Sequence, residues 1–219
     1  MGLDLRERFL ELRANEEQYL KSANGLLAGV DEAGRGPLAG PVVAAAVILA
    51  PDFDAEGVDD SKKLTASKRE SLYGAINSGA VSVSWASVSE RVVDDVGILR
   101  ATQAAMREAI EALSARPALV IVDGRKIPSL NIPQVALPKA DGNFLSVASA
   151  SIVAKHIRDM LMADAHAKFP QYGFDVHKGY GTKSHIQALL RHGPCSIHRF
   201  SFRPVKEILF MREAGLVKV

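Results

Sequence analysis

The chain has 219 residues, of which 47% are hydrophobic and 24% charged, a globular composition with room for a sizeable core that excludes a disordered or low-complexity protein. A formal charge of +2 excludes a broadly cationic nucleic-acid coat, so any nucleic-acid contact must come from a local patch. The single cysteine, Cys195, excludes an intrachain disulfide and suits a reducing compartment.

Residues 3 to 23 space Leu5, Phe9, Leu12 and Tyr19 among charges at helical period, which predicts an accessory amphipathic helix ahead of the main domain. Asp4, Arg6, Glu7, Arg8 and Glu11 leave no apolar core for a signal peptide, and no stretch approaches a membrane span. A cytoplasmic protein is expected. Leu26 to Val30 and Pro41 to Leu49 are apolar and partly β-branched and predict paired strands. Ser67 to Glu70 has capping-box spacing ahead of Leu72 and Ile76, predicting a short helix. Val81, Val83, Trp85 and Val88 alternate as a third strand, and Glu90 to Ala115 carries one long amphipathic helical pattern ended by Pro117. The run from Ala118 to Asp123 reads as a buried strand presenting a carboxylate at its end, and Pro133 to Leu137 as another short strand. Helical patterns follow at 144 to 167, 183 to 192 and 203 to 213, around a loop-rich stretch from Phe169 to Tyr180. Strands alternating with helices make an α/β fold with a mixed sheet.

The loop between the first two strands, residues 29 to 41, reads Gly-Val-Asp-Glu-Ala-Gly-Arg-Gly-Pro-Leu-Ala-Gly-Pro. Its glycines expose main-chain N–H groups and allow close approach of a ligand, while Asp31 and Glu32 would repel a bare phosphodiester unless a cation lay between. The spacing imitates a nucleotide-binding phosphate loop, but Arg35 and Gly36 stand where that loop needs lysine and a hydroxyl. Hydrolysis of a phosphodiester by two metal ions about 3.5 to 4 Å apart needs several carboxylates at neighbouring strand ends. Asp31, Glu32, Asp123 and Asp141 meet that requirement in chain order, and oxygen ligands suit Mg2+ or Mn2+.

From about Leu26 to Val205 the chain closely resembles bacterial ribonuclease HII, the type 2 ribonuclease H. The resemblance is carried by GVDEAGRGPLAGPV at 29 to 42, DSKKL at 60 to 64, VDG at 122 to 124, KAD at 139 to 141, AKHIRD at 154 to 159, HKGYGT at 177 to 182 and HRFSF at 198 to 202. It implies a ribonuclease H-like mixed five-stranded β-sheet flanked by helices, with a C-terminal helical region. The implied division is an N-terminal helical extension at 1–24, a catalytic domain at 25–205 and a helical tail at 206–219. Asp31, Glu32, Asp123 and Asp141 fall on the family's catalytic, metal-holding carboxylates. Gly34, Arg35 and Gly36 fall on the loop implied to recognise a 2'-hydroxyl through its main chain, the group that separates RNA from DNA. Tyr180 falls on the tyrosine implied to stack on the sugar at an RNA–DNA junction.

The implied activity is an endonuclease on RNA–DNA hybrids and on duplex DNA containing ribonucleotides, cutting 5' to the ribonucleotide with Mn2+ or Mg2+ and leaving 3'-hydroxyl and 5'-phosphate ends. The corresponding roles are ribonucleotide excision repair and DNA replication, by a monomer with a sliding clamp as a candidate partner. Competing readings are another metal nuclease on the same fold, which Gly34 to Gly36 and Tyr180 argue against, and a catalytically silent hybrid-binding protein, which would lack one of the four acids. Lys62 and Lys63 read as phosphate contacts, and Lys178, Lys183 and Arg199 as a basic track. His198 reads as structural or phosphate-binding, and Asp159 is left outside the catalytic set. His185, His192, Cys195 and His198 lack the cysteine pair of a zinc site. Two positions depart from the family pattern: Ser149 stands where alanine is usual, and Val96-Gly97 lacks a common asparagine.

Overall fold

The fold is given by a computed structural model, which describes residues 4–216. The expected terminal segments 1–24 and 206–219 therefore include residues, 1–3 and 217–219, outside the described range. The chain forms two compact units. The first comprises residues up to Ala33, Val43–Ala86 and Gln103–His156; the second comprises Gly34–Val42, Ser87–Thr102 and the chain from Ile157 onward.

The first unit holds a five-stranded sheet of β1 (Leu27–Ala33), β2 (Val42–Leu49), β3 (Ala80–Val88), β4 (Leu119–Asp123) and β5 (Gln134–Leu137), in the order β3-β2-β1-β4-β5. β1 runs antiparallel to β2 and parallel to β4, and β4 runs parallel to β5, so the sheet is mixed as expected. The near-continuous apolar runs of β2 and β4 follow from burial on both faces, where no polar alternation is tolerated. At the edge, β3 alternates in the opposite phase from its hydrophobicity: Ser82 and Ser84 are buried, while Val81 and Trp85 are exposed. The inward serines are satisfied, Ser82 by Ser114 and Ser84 by the carbonyl of Ala109.

Helix α1 (Leu5–Ala23) is built into this unit rather than standing apart. Phe9 and Leu12 are fully buried, Arg8 and Arg13 donate to the carbonyls of Gly142 and Phe53, and buried Glu16 accepts from the N–H and hydroxyl of Ser146. Helix α2 (Ala66–Gly79) starts slightly ahead of the expected capping box, because Thr65 rather than Ser67 caps it. The single helix expected over 90–115 is two, α3 (Glu90–Val96) and α4 (Ile98–Glu111), because Gly97 takes a φ of +82° that breaks the helical run. In α5 (Leu145–Lys168) the unusual Ser149 is fully buried and returns its hydroxyl to the carbonyl of Leu145 at 2.8 Å, which satisfies it within the helix. Gly29 of β1 lies so close to α5 that an added Cβ would sit 2.2 Å from the Ser146 carbonyl carbon.

The second unit gathers the second half of α5 with the short α6 (Phe174–His177), α7 (Lys183–His192) and α8 (Arg203–Glu213). Its core includes Leu38, Met162, Tyr172, Phe174, Leu189, Val205 and Ile208. The segment 34–41 is stitched into it by main-chain bonds from Leu38 to Gly179, from Gly40 to Ile197 and from Arg199 to Leu38.

Candidate active site

β1 and β4 lie side by side and run in the same direction, so both deliver carboxylates from their C-terminal ends. Val30 is paired with Val122, and one step further the register brings Asp31 level with Asp123. Asp123 accepts a hydrogen bond from the N–H of Ala140 at 2.7 Å, which fixes the turn Ala140–Gly142 and with it Asp141. The turn is entered through Lys139 at a φ of +61°, a left-handed conformation that reverses the chain after β5. Three of the predicted acids thus come from separate segments of the first unit, and Glu32 follows Asp31 on β1.

Their electrostatics are those of crowded anions. Burial raises the pKa of Asp31 well above the ordinary aspartate value, and the charges of Glu32 and Asp123 add to the rise. Asp123 is raised by burial and by Asp141, against the stabilising N–H of Ala140. A cation stands beside them in Lys62, whose ammonium lies 3.1 Å from Asp141. Burial works against the Lys62 charge, but Asp141, supported by Asp60 and Asp31, holds its pKa above the usual lysine range. Lys62 stands on the turn Ser61–Lys63, where the Asp60 carboxylate accepts from the Lys62 N–H and Arg69 donates to the carbonyls of Ser61 and the following Leu64. Lys63, also expected at phosphate, is paired with Asp59 at 3.1 Å.

Two residues that sequence reasoning missed complete this site. Ser151 of α5 bonds to the Asp31 carboxylate, and its hydroxyl lies 2.8 Å from that of Ser61. One hydroxyl pair therefore joins the Lys62 turn to the strand acids. Ser61 lies in the recognisable DSKKL motif, but only the packing of α5 against the sheet reveals its partner.

Among the described residues no three His, Cys, Asp or Glu side chains form a ready-made metal cage. The donor chemistry nevertheless fits a hard divalent cation: the atoms on offer are carboxylate oxygens, and a cation would offset both the burial and the neighbouring charges that raise Asp31.

In the second unit, Gly34 has a φ of +95°, and an added Cβ would lie 2.1 Å from Nε of Arg158, so only glycine fits there. Arg35 and Gly36 are exposed, and the Cβ position of Gly36 is 3.7 Å from Cε1 of Tyr180. The predicted Gly-Arg-Gly element and Tyr180 therefore share one surface. Tyr180 is half-exposed, and its carbonyl accepts from Nδ1 of His185 at 2.9 Å. His185 in turn accepts at Nε2 from Nε2 of His198 at 3.0 Å, because the Cys195 N–H already occupies Nδ1 of His198. Burial holds both imidazoles near a pKa of about 4, with His185 adding to the effect on His198, so this chain is neutral and structural. His192 instead stands outside, edge-on to Tyr172. The basic track needs one correction: Arg199 is fully buried and faces main-chain carbonyls rather than solvent. Asp159 lies half-buried on α5.

Acids at the ends of adjacent parallel strands, on a mixed sheet of this order, define a hydrolase of the ribonuclease H-like fold class. The chain matches the family model for ribonuclease HII over residues 28–205. It is 50% identical over 209 residues to a ribonuclease HII of Caldicellulosiruptor saccharolyticus, covering 95% of this chain and 100% of that one. Among solved structures it is similar to the ribonuclease HII of Archaeoglobus fulgidus in complex with PCNA, with a TM-score of 0.68, 26% identity and coverage of 81% of this chain and 95% of that one. It shares its fold with Bst ribonuclease HIII in complex with Mn2+, at a TM-score of 0.70, 19% identity and coverage of 86% and 70%. The chain belongs to the ribonuclease HII family. It is accordingly an enzyme of ribonuclease H type, an endonuclease that degrades RNA in RNA–DNA hybrids.

Proposed function

We propose that the enzyme incises duplex DNA 5' to embedded ribonucleotides, as well as cutting the RNA strand of hybrids, by two-metal-ion catalysis that leaves 3'-hydroxyl and 5'-phosphate ends. The observation that supports this reading is that Asp31 and Glu32 on β1 and Asp123 on β4 come from adjacent parallel strands, with Asp123 accepting from the Ala140 N–H at 2.7 Å in the turn that carries Asp141. These four residues would hold Mg2+ or Mn2+, a pairing consistent with the Mn2+ complex of the Bst fold neighbour. When bound, the ions supply activation of the attacking water and neutralise charge on the departing oxygen.

The chain's own groups do the rest. Ser151 orients Asp31, and the Ala140 N–H orients Asp123, so neither carboxylate is free to swing away. Lys62 balances Asp141 and offers a phosphate contact. Gly34, Arg35 and Gly36 read the 2'-hydroxyl through main-chain groups, and Tyr180 packs on the neighbouring sugar. Ribonucleotide excision repair and replication in the cytoplasm are the cellular roles that this substrate choice supports. A sliding-clamp contact is part of the same proposal, suggested by the PCNA complex of the Archaeoglobus relative. Size-exclusion chromatography with and without a bacterial clamp tests it together with the expected monomeric state.

The test of function is a DNA duplex carrying one ribonucleotide, incubated with the protein and Mg2+ or Mn2+. A nick on the 5' side of the ribonucleotide is expected; absence of incision with either metal overturns the reading.

A further inference from the structure

The Gly-Arg-Gly loop lies over an arginine that no site role has absorbed. Arg199 is fully buried, and its guanidinium makes five hydrogen bonds, all to carbonyls of one short segment. Nη2 donates to Gly34 at 2.6 Å and to Gly40 at 2.8 Å, Nη1 to Arg35 at 3.0 Å and Pro37 at 2.9 Å, and Nε to Gly40 at 3.0 Å. Five bonds use the full donor set of the group. A second buried arginine, Arg158, reaches the far end of the same loop, donating to Pro41 and Ala39 at 3.2 Å each. The Phe202 ring lies 5.0 Å from the Arg199 guanidinium and closes its other side.

The direction of these bonds fixes what the loop presents outward. No peptide bond among the described residues is cis, and in a trans peptide the N–H points opposite to the C=O. The Gly34 carbonyl aimed at Arg199 therefore turns the Arg35 N–H away from it, and the Arg35 carbonyl does the same for the Gly36 N–H. Both belong to exposed residues, and Pro37 next in line has no N–H to offer. The charge beneath the loop also polarises these amides, strengthening them as donors.

We propose that Arg199 is a positioning residue for ribonucleotide selection: by gathering the loop carbonyls inward it presents the N–H groups of Arg35 and Gly36 together to one oxygen of a ribose. This rests on the reading that the loop recognises a 2'-hydroxyl. Lysine cannot replace it, since a single ammonium with three donors cannot span carbonyls that a planar five-donor fork holds in register.

The experiment compares wild type with Arg199→Lys, each checked for folding by circular dichroism. The substrates are duplexes differing only in one ribonucleotide, its 2'-deoxy counterpart, or its 2'-fluoro counterpart. Metal-free binding and metal-supported kcat and KM are both measured. The folded variant is expected to lose about tenfold in preference for the 2'-hydroxyl, seen in Kd and KM, with binding to the all-DNA duplex unchanged. A folded variant that keeps the wild-type preference overturns the positioning role and leaves the proposed function standing. Wild type that itself shows no preference overturns both. Should the variant not fold, amide NMR of the wild type decides: the Arg35 and Gly36 N–H signals are expected to shift on binding the ribonucleotide duplex and not the deoxy duplex. Unmoved signals with shifts elsewhere overturn the proposal.

Discussion

At Asp31 the chain crowds carboxylates against one another, whereas from Gly34 to Pro41, beginning three residues later, it surrounds carbonyl oxygens with two buried guanidinium groups. The pKa values of Asp31 and Asp123 of the first unit are raised by burial and by neighbouring acids, whereas those of Arg158 and Arg199 of the second are lowered by burial, Arg199 to about 10. The first arrangement is poised to accept positive charge from outside, and the second is complete in itself. Neighbouring parts of one sequence motif thus carry opposite electrostatics, crowded anions followed by a loop whose carbonyls are saturated.

The sharpest way to break the comparison is to remove a charge from the crowded side. Asp31→Asn should lower turnover by more than about a hundredfold, since even partners outside the ligand set cost 10- to 100-fold. Its melting temperature in EDTA should match or exceed that of wild type, because mutual repulsion is relieved. A folded variant with near wild-type cleavage would remove Asp31 from the site.

On the complete side, Gly34→Ala forces a side chain into a φ of +95° against Arg158. It should cost about 1 to 3 kcal/mol in denaturant titration and weaken ribonucleotide preference.

The two units should also respond to pH with opposite sign. Glu16, pushed up to about 7 by burial despite its bonds from Ser146 and the nearby Arg13, binds a proton in the folded state that the unfolded chain releases above about 4.5. Its contribution is full below 4.5 and is lost as pH rises through 7. His185 and His198, held near 4 by burial, do the reverse: their contribution is full above 6.5 and is lost as pH falls toward 4. Segment-resolved hydrogen exchange between pH 4 and 8 should find α1 and β1 loosening toward the upper end and α7 toward the lower. Glu16→Gln should stabilise the protein by on the order of 1 to 3 kcal/mol at pH 8, with the gain vanishing near pH 4.5.

The smallest effect expected is at Lys62. Lys62→Met should reduce by about one the slope of log affinity against log salt for hybrid binding, the signature of one lost phosphate contact.

Much of this was legible in the sequence. The strands follow from the sequence, β2 and β4 as continuous apolar runs because both faces are buried and β3 as an alternation, and Asp31, Glu32 and Asp123 stand at or near the ends of such runs. What stayed hidden depends on partners distant in sequence. The phase of β3 is set by hydroxyls that find Ser114 and Ala109, and the break at Gly97 by a single φ that helical periodicity does not register. Arg199 was read as surface charge because a basic residue beside a nucleic-acid motif ordinarily is; only the fold reveals it enclosed by carbonyls. The Ser61–Ser151 pair joins motifs 90 residues apart, with no spacing rule to announce it.

The missing side chain at Gly29 carries one further consequence. Helix α5 can approach β1 there only because nothing projects from the strand, and α5 also carries Ser151, which orients Asp31 two residues along from Gly29. Position 29 is therefore a spacer gauge for the Asp31 carboxylate: a single methyl group would wedge helix from strand and shift Asp31 without altering an acid.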